Sequence, residues 1–580
     1  MINNKEMKKS IIKSILFLTI ASLLGACGES FLEEEPKGFL GESNLQNEEG
    51  INAALVGAYA LLDGMNIDGA NTWSANPQNW IFGSVPSDDA YKGSEQTDFA
   101  EMTQLEIYQW SAGNSIMNDK WVSSYEGVVR ANSTIRLLGG ADLPDAVRDN
   151  LEGQARFLRA YYHFELYKVW GNVPYFTEAD EDFVKSNEGV DPLGDAIADM
   201  TAAVNLLPAT QDDAGRATKD AARAMLGKFY MYKYGESGSA ADASSAKDNL
   251  DPVVASRSLT PCFKDMFHTS TENNPAMIFS VQSSINDGGN SRNANWLNQL
   301  AFPAGSSFGC CGFHQPSQDL VNAYKVDANG LPMFDNYNDS ELDPSTDAVD
   351  PRIDLTIGRD NVPYWDWDIH DASWIRDRAF SGPYSPKKFT HYKADPVSTG
   401  GWNNNAYNGI NFSIIRLADA MLLLAEAEVI LGNLSAAEDL VNAIRERAGN
   451  CAQGPFVDGG GAAVITDDIN DPGIEWANYD VQPYPAGTFA SNGSEFAMNA
   501  VRWERRLELA LEGHRFFDLR RWGIAAEVLN KYTEYAAKTR SYYADAATYE
   551  ARHRWYPIPT IQINANTRNG EQILKQNTGW

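Results

Sequence analysis

The segment "ERRLELALEGHRFFDLRRWG" (504–523) gathers the densest set of ionisable side chains in the chain. Glu504, Glu508 and Glu512 recur at four-residue steps, one face of a helix, with Arg505, His514, Arg515, Asp518, Arg520 and Arg521 close by. Carboxylates beside a histidine can transfer protons, provided a cleft admits a substrate. The same spacing suits carboxylate–guanidinium pairs that lock helix to helix, and Gly513 is placed to end one helix before another begins. Nothing in the segment suggests a cleft, so structural pairing is the favoured reading. A second acidic set, Asp366, Asp368, Asp371 and Asp377, stands beside Trp365, Trp367 and Trp374. Two such carboxylates flanking one cleft would hydrolyse glycosidic bonds.

Other chemistries lack their residues. The sequence contains no phosphate loop, GxSxG elbow, HExxH helix or CxxC pair. Its seven histidines are scattered without metal-ligand spacing. The acidic stretch "DNYNDSELD" reads better as a solvated surface run than as a calcium loop. We therefore expect no metal and no cofactor.

The irregular segments are more distinctive. "NTWSANPQNWIFG", "VPYWDWDIHDASW" and "GWNNNAYNGINF" interleave Trp and Tyr with Asn, Asp and Arg. Sugars offer apolar C–H faces to flat rings and hydroxyls to paired donors and acceptors, so a sugar site combines aromatic plates with such polar groups. At least half of these tryptophans are nevertheless expected to fill a loop-rich core. "SSFGCCGFHQPS" adds adjacent cysteines, Cys310 and Cys311, beside Phe308 and Phe313. A bridge between neighbours closes almost no loop, but a vicinal disulfide can act as one more apolar plate.

Helical periodicity positions these loops. Apolar residues recur at three- and four-residue steps in 48–65, in "DKWVSSYEGVVRANSTIRLL", in "LEGQARFLRAYYHFELYKVWGNVPYF", and in two further runs before residue 250. Residues 66–100 read as loop, residues 250–410 as a large irregular insertion rich in Gly, Asn, Asp and Trp, and 452–495 as loop again. Helices resume over 413–449 and 495–523. Leu424, Ala425, Gly432, Ala437 and Ile444 fall where a tetratricopeptide unit wants small or apolar residues. "AARAMLGKFYMY" resembles the first helix of another unit, its partner displaced by an insertion. The fold expected is mainly α: a tetratricopeptide-like scaffold over about 48–250 and 411–580, carrying a loop-rich insertion over about 250–410.

The bulk numbers narrow the partners. With 580 residues, 43% hydrophobic content and 15 Trp, the chain has ample material for a buried core. A net charge of −31 argues against nucleic acid and disfavours phosphorylated or sulfated ligands. The start is basic, then apolar, and ends "LLGAC": Leu24, Gly25, Ala26 and Cys27 match a bacterial lipobox. Residues 1–27 are read as a lipoprotein signal, with Cys27 lipidated and residues 28–580 forming one domain. Export lets cysteines oxidise. Cys262, Cys310, Cys311 and Cys451 remain, and Cys310–Cys311 pairing or pairing of either with Cys262 or Cys451 are all open.

Nearly end to end, the chain resembles the RagB/SusD family of outer-membrane glycan-binding lipoproteins. The resemblance rests on the lipobox followed by "FLEEEP", on "EGQARFLRAYYHFELYKVWGNVPYF", "IIRLADAMLLLAEAEV", the arginine-rich motif and the closing "YPIPTIQINANTRNGEQILKQNTGW" with Gln576, Asn577, Gly579 and Trp580. It implies a surface-exposed, lipid-anchored protein of the outer membrane that binds oligosaccharides without turnover. The partner it implies is a SusC-like TonB-dependent transporter. It places a glycan site in the N-terminal aromatic loop and the mid-chain insertion: Trp73, Trp80, Cys310, Cys311, Phe313, Trp365, Trp374, Arg378 and Tyr407, with Asp68 and Asn71 as hydrogen-bonding partners. Fructans such as levan are the suggested ligand. The competing readings are a lipid-anchored glycoside hydrolase built on Asp366, Asp368, Asp371 and Asp377, and a helical-repeat scaffold that binds only protein.

Overall fold

The computed structural model describes residues 41–65, 72–288, 293–295, 300–305, 308–309, 311–397, 407–450 and 477–580. Residues 1–40, Cys27 among them, together with Asp68, Asn71, Cys310 and Cys451, lie outside the described residues.

Six longer helices build the N-terminal part among the described residues: α1 (Glu48–Tyr59), α2 (Ser115–Gly139), α3 (Asp145–Trp170), α4 (Pro192–Leu206), α5 (Lys219–Ser237) and α6 (Ala240–Ala255). Their starts are set by capping side chains. Asn47, Asn114, Asp191, Thr218 and Ser239 each accept a backbone N–H from the first turn of the helix that follows. Each helix from α2 to α6 packs on the next, the neighbour-on-neighbour order of a helical-repeat scaffold. The sequence expectation for α5 needs correction. Its partner is not displaced by an insertion, because α6 begins three residues after α5 ends. The two helices meet at Gly227, where a Cβ would lie 2.5 Å from the Leu250 side chain.

After α6 the chain leaves regular helix. Strand β2 (Met277–Val281) pairs antiparallel with β4 (Phe412–Arg416), and β1 (Ala90–Gly93) with β3 (Phe313–Pro316). The run read as helical from residue 413 therefore opens as a strand, consistent with adjacent β-branched Ile414 and Ile415. The run then continues as α7 (Leu417–Ile430) and α8 (Leu434–Asn450). Every residue from Leu417 to Val429 is buried, so α7 is the central helix of this half, covered by α6, α8 and α9 (Thr488–Glu508). Helix α9 starts earlier than the sequence pattern suggested, and Gly493 interrupts its first turns at φ 84°. The motif continues into α10 (Arg515–Arg521) and is followed by α11 (Ala525–Ala536).

A second correction concerns the N-terminal loop. Residues 76–94 run through the interior, all of them buried. The loop is threaded against the link between α9 and α10. Gly513 there has φ 73°, and a Cβ on it would lie 1.8 Å from the Gln78 carbonyl oxygen. Backbone meets backbone at this point, which only glycine permits.

Candidate ligand-binding site

The arginine-rich motif forms no cleft. Glu508 accepts from Arg352 Nη1 at 2.9 Å, Arg416 Nη1 at 2.6 Å and Arg447 Nη2 at 2.5 Å. Glu512 accepts from Arg416 Nη2 at 2.7 Å and from Lys388 Nζ at 2.9 Å. Arg505 bridges Asp419 and Asp518, and Arg521 reaches Glu426 through two parallel bonds of 2.7 Å. "SDDA" of the N-terminal loop supplies the remaining counter-ions: Asp88 takes two bonds of 2.8 Å from Arg515, and Asp89 accepts from Arg506. All these groups are buried or nearly so. Burial pushes the Asp88 and Glu512 carboxyls up, but the arginines beside Asp88, and Arg416 with Lys388 beside Glu512, more than offset it and hold both at about 2. Burial takes His514 down to about 3. Burial raises Asp89 to about 6 and lowers Lys388 to about 8, but both stay locked inside the fold in ion pairs with Arg506 and Glu512. The segment ties β4, α7, α8, α10 and the N-terminal loop into one body.

The second acidic set also serves the backbone. Asp366 accepts from the N–H of Lys393 and Ala394, Asp368 from Ile369, Asp371 from Ser373, and Asp377 from Ala379 and Phe380. The hydrogen bonds to Ser373 hold the Asp371 carboxyl below the usual carboxylate range, the opposite of what a general acid needs. Among the described residues no cluster of His, Cys, Asp and Glu could hold a metal.

Several residues the resemblance implicates do converge. At the end of β1, Gly93 lies opposite Phe313 of β3, and a Cβ on Gly93 would lie 2.4 Å from the Gly312 oxygen. Gly312 and Phe313 donate to the carbonyls of Phe302 and Leu300, and Ala304 donates to the carbonyl of Trp374. Three loops, at 93–99, at 300–304 with 311–312, and at 372–378, are thus interleaved. Arg376 crosses between two of them: its Nη1 donates to Ser94 Oγ at 3.0 Å and to Asp98 Oδ2 at 2.8 Å, while Nη2 lies 3.5 Å from Glu95. From beneath, the buried Lys92 ammonium donates to the carbonyls of Glu95 and Asp98. Burial lowers this lysine to about 8, against the raising effect of Glu106, Asp98 and Glu95.

Half-buried Trp73 sits edge-on to half-buried Phe99 at 5.9 Å, and Phe99 edge-on to Phe313 at 6.3 Å. Partly exposed Arg378 donates to Asp360 Oδ2 at 2.6 Å, and its Nη1 has no hydrogen-bond partner among the described residues. Asp360 Oδ1 in turn lies 3.0 Å from His370 Nδ1.

The other implicated residues present no free face. Trp80, Phe313, Trp365, Trp374, Tyr407 and Cys311 are all buried. Trp80 stacks on His314, and Trp374 packs on Tyr364 and His370. Trp365 lies under the Lys387 ammonium, 4.6 Å from the ring centroid, and donates to the Lys387 carbonyl. In a loop-rich fold these large rings fill space that helices would otherwise fill. Cys262 and Cys311 are each disulfide-bonded. The loop residues Glu95, Asp98, Phe99 and Arg376 escaped the sequence reading. Their composition is ordinary, and only the Lys92 and Arg376 crossings bring them beside Trp73's partners.

Comparison with known proteins assigns the class. The model of the SusD family matches residues 275–580, more than half of the chain, and the chain belongs to that family. A second model, described as starch-binding associating with outer membrane, matches residues 30–231. A SusD-like protein of Bacteroides ovatus is 24% identical over 460 residues, 75% of this chain and 76% of the relative. SusD-like protein P38 of Formosa agariphila is 24% identical over 550 residues, 90% of this chain and 94% of the relative. Among solved structures, a laminarin-binding SusD-like protein superposes with a TM-score of 0.65 at 22% identity, covering 92% of this chain and 100% of that one. Surface glycan-binding protein A from Bacteroides fluxus gives 0.64 at 22% identity, covering 92% and 99%. These likenesses establish the shared, mainly helical fold. No helix among the described residues is long and apolar enough to cross a membrane.

Proposed function

We propose that this protein is a non-enzymatic glycan-binding lipoprotein of the outer-membrane surface, anchored through Cys27, that captures oligosaccharides and hands them to a SusC-like TonB-dependent transporter. Family membership carries the reading, since solved relatives spanning nine-tenths of the chain are named for binding laminarin and surface glycans. The interleaved loops around Trp73, Phe99, Arg376 and Arg378 supply a fitting site. A half-exposed indole offers a plate, and Arg376, Glu95 and Asp98 present fixed donors and acceptors at the surface. The net charge of −31 favours a neutral glycan. Asp68, Asn71 and Cys310 are carried as further ligand residues by the family resemblance, with fructan as the first glycan to try. The hydrolase reading gains nothing from the geometry, because its four carboxylates are engaged by backbone N–H groups.

Isothermal calorimetry against levan, inulin, laminarin, starch and xylan tests this directly. Binding to one of them without release of reducing ends is expected, with at least a tenfold loss on Trp73→Ala or Arg376→Ala. Release of reducing ends by the purified protein would overturn the non-enzymatic assignment. Binding untouched by both substitutions would move the site elsewhere.

A further inference from the structure

Helix α1, the 208–218 connection and the end of β2 enclose a groove of 450 Å³, within the roughly 300–1,000 Å³ of small-molecule sites. Its residues are separate from the loop cluster around Trp73. Its apolar wall includes the Tyr59 ring and Val56, which at 48% exposure is one of few large apolar side chains left so open among the described residues.

The polar groups facing it are held in place from behind. The Arg216 guanidinium donates to Gln154 at 3.3 Å, Asn52 at 3.0 Å and Asp213 at 3.0 Å, and lies 6.0 Å from the Tyr59 ring centroid. Tyr59 donates its hydroxyl to Gln154 at 2.9 Å and accepts the Ala217 N–H at 2.9 Å. The Gln282 amide exchanges two bonds of 3.1 Å with Asn273 and accepts from Asn411 at 3.0 Å. Asp63 accepts the Met65 N–H at 2.7 Å, and burial pushes its carboxyl up to about 7, so near neutrality it can donate as well as accept. Asp63 and Asp213 against Arg216 leave no surplus of positive charge for an anion. Preorganised donors and acceptors around an apolar wall suit a neutral polyhydroxylated ligand, whose desolvation they compensate without having to be ordered on binding.

We propose that this groove is a second carbohydrate site, taking a short neutral oligosaccharide independently of the Trp73 loop cluster. The proposal rests on the glycan-binding reading above. The test is calorimetric stoichiometry on the full chain purified in detergent, titrated with maltotetraose, laminaritetraose, xylotetraose and tetrasaccharides cut from levan and inulin. For the sugar that binds, two equivalents per chain are expected. Trp73→Ala should leave one equivalent, and Val56→Trp, which fills the groove from an exposed position, should leave the other. Arg216→Gln should weaken the groove equivalent at least tenfold, with unchanged thermal melting showing that the fold is intact. One equivalent that is lost with Trp73→Ala and untouched by Val56→Trp and Arg216→Gln overturns the groove and leaves the glycan-binding reading standing. No binding by any polysaccharide or fragment overturns that reading, and the groove with it.

Discussion

Replacing Glu508 by Gln tests whether the arginine-rich motif is a structural lock. The substitution keeps the shape of the side chain, removes its charge, and turns one acceptor into a donor facing guanidinium groups. Arg416 retains Glu512 and Arg352 retains Asp350, but among the described residues Glu508 is the only acceptor Arg447 finds, and its Nε and Nη1 have no partner there. Glu508→Gln therefore strands a buried cation, and breaking a buried pair in this way costs about 3–5 kcal/mol. Arg447→Met in the same chain removes the stranded charge and should recover about half of that loss. The assay is equilibrium urea unfolding of wild type, both single variants and the double variant, followed by tryptophan fluorescence. A coupling of about 2 kcal/mol or more is expected, with glycan affinity unchanged in whichever variants remain folded. If Glu508→Gln stays within about 1 kcal/mol of wild type, or if the two single costs simply add, the lock is refuted.

Three further outcomes follow from the same physics. Gly513→Ala should destabilise by more than about 2 kcal/mol, because its Cβ would collide with the Gln78 carbonyl at 1.8 Å, whereas Gly432→Ala, with a similar φ and nothing within 4 Å, should cost only about 1 kcal/mol; paired thermal melts separate the two. Asp88, Glu165 and Glu512 are held at about 2 in the fold against ordinary values of 3.8 to 4.5. At these three groups the folded state thus binds fewer protons, and their contribution to stability should be full above about pH 4.5 and fall steadily toward pH 2, as acid titration of the unfolding midpoint would reveal. Glu106 runs the other way: burial, against bonds from Tyr542 and Tyr543, raises it from 4.5 to about 7. Its contribution is present below pH 4.5 and is lost as pH rises toward 7, so Glu106→Gln should stabilise the protein at pH 8 and not at pH 4. A gain of equal size at both values would contradict the assignment.

The sequence by itself determined the helices and the class. Three- and four-residue apolar steps specify which face of each helix is covered, and capping residues such as Asn114 and Thr218 mark where helices begin, since both signals are local. The pairing role of Glu508, Glu512, Arg505 and Arg521 was legible for the same reason: charges at helical spacing with no accompanying cleft signature. Their partners were not. Arg352, Arg416 and Arg447 come from 60 to 160 residues away, and the pair Asp88–Asp89, in a stretch read only as loop, is threaded beneath the motif. Which aromatic rings face outward was equally invisible, because Trp73 and Trp80 sit in the same short motif with the same neighbours. One is half-buried at the loop cluster and the other is enclosed against His314. Composition assigns a tryptophan to a loop; only long-range packing decides whether its face is left for a ligand. The groove beside Tyr59 and Arg216 had no sequence signal at all, for its walls come from residues 56–63, 213–216, 280–284 and 293–294, brought together only by the packing of the scaffold.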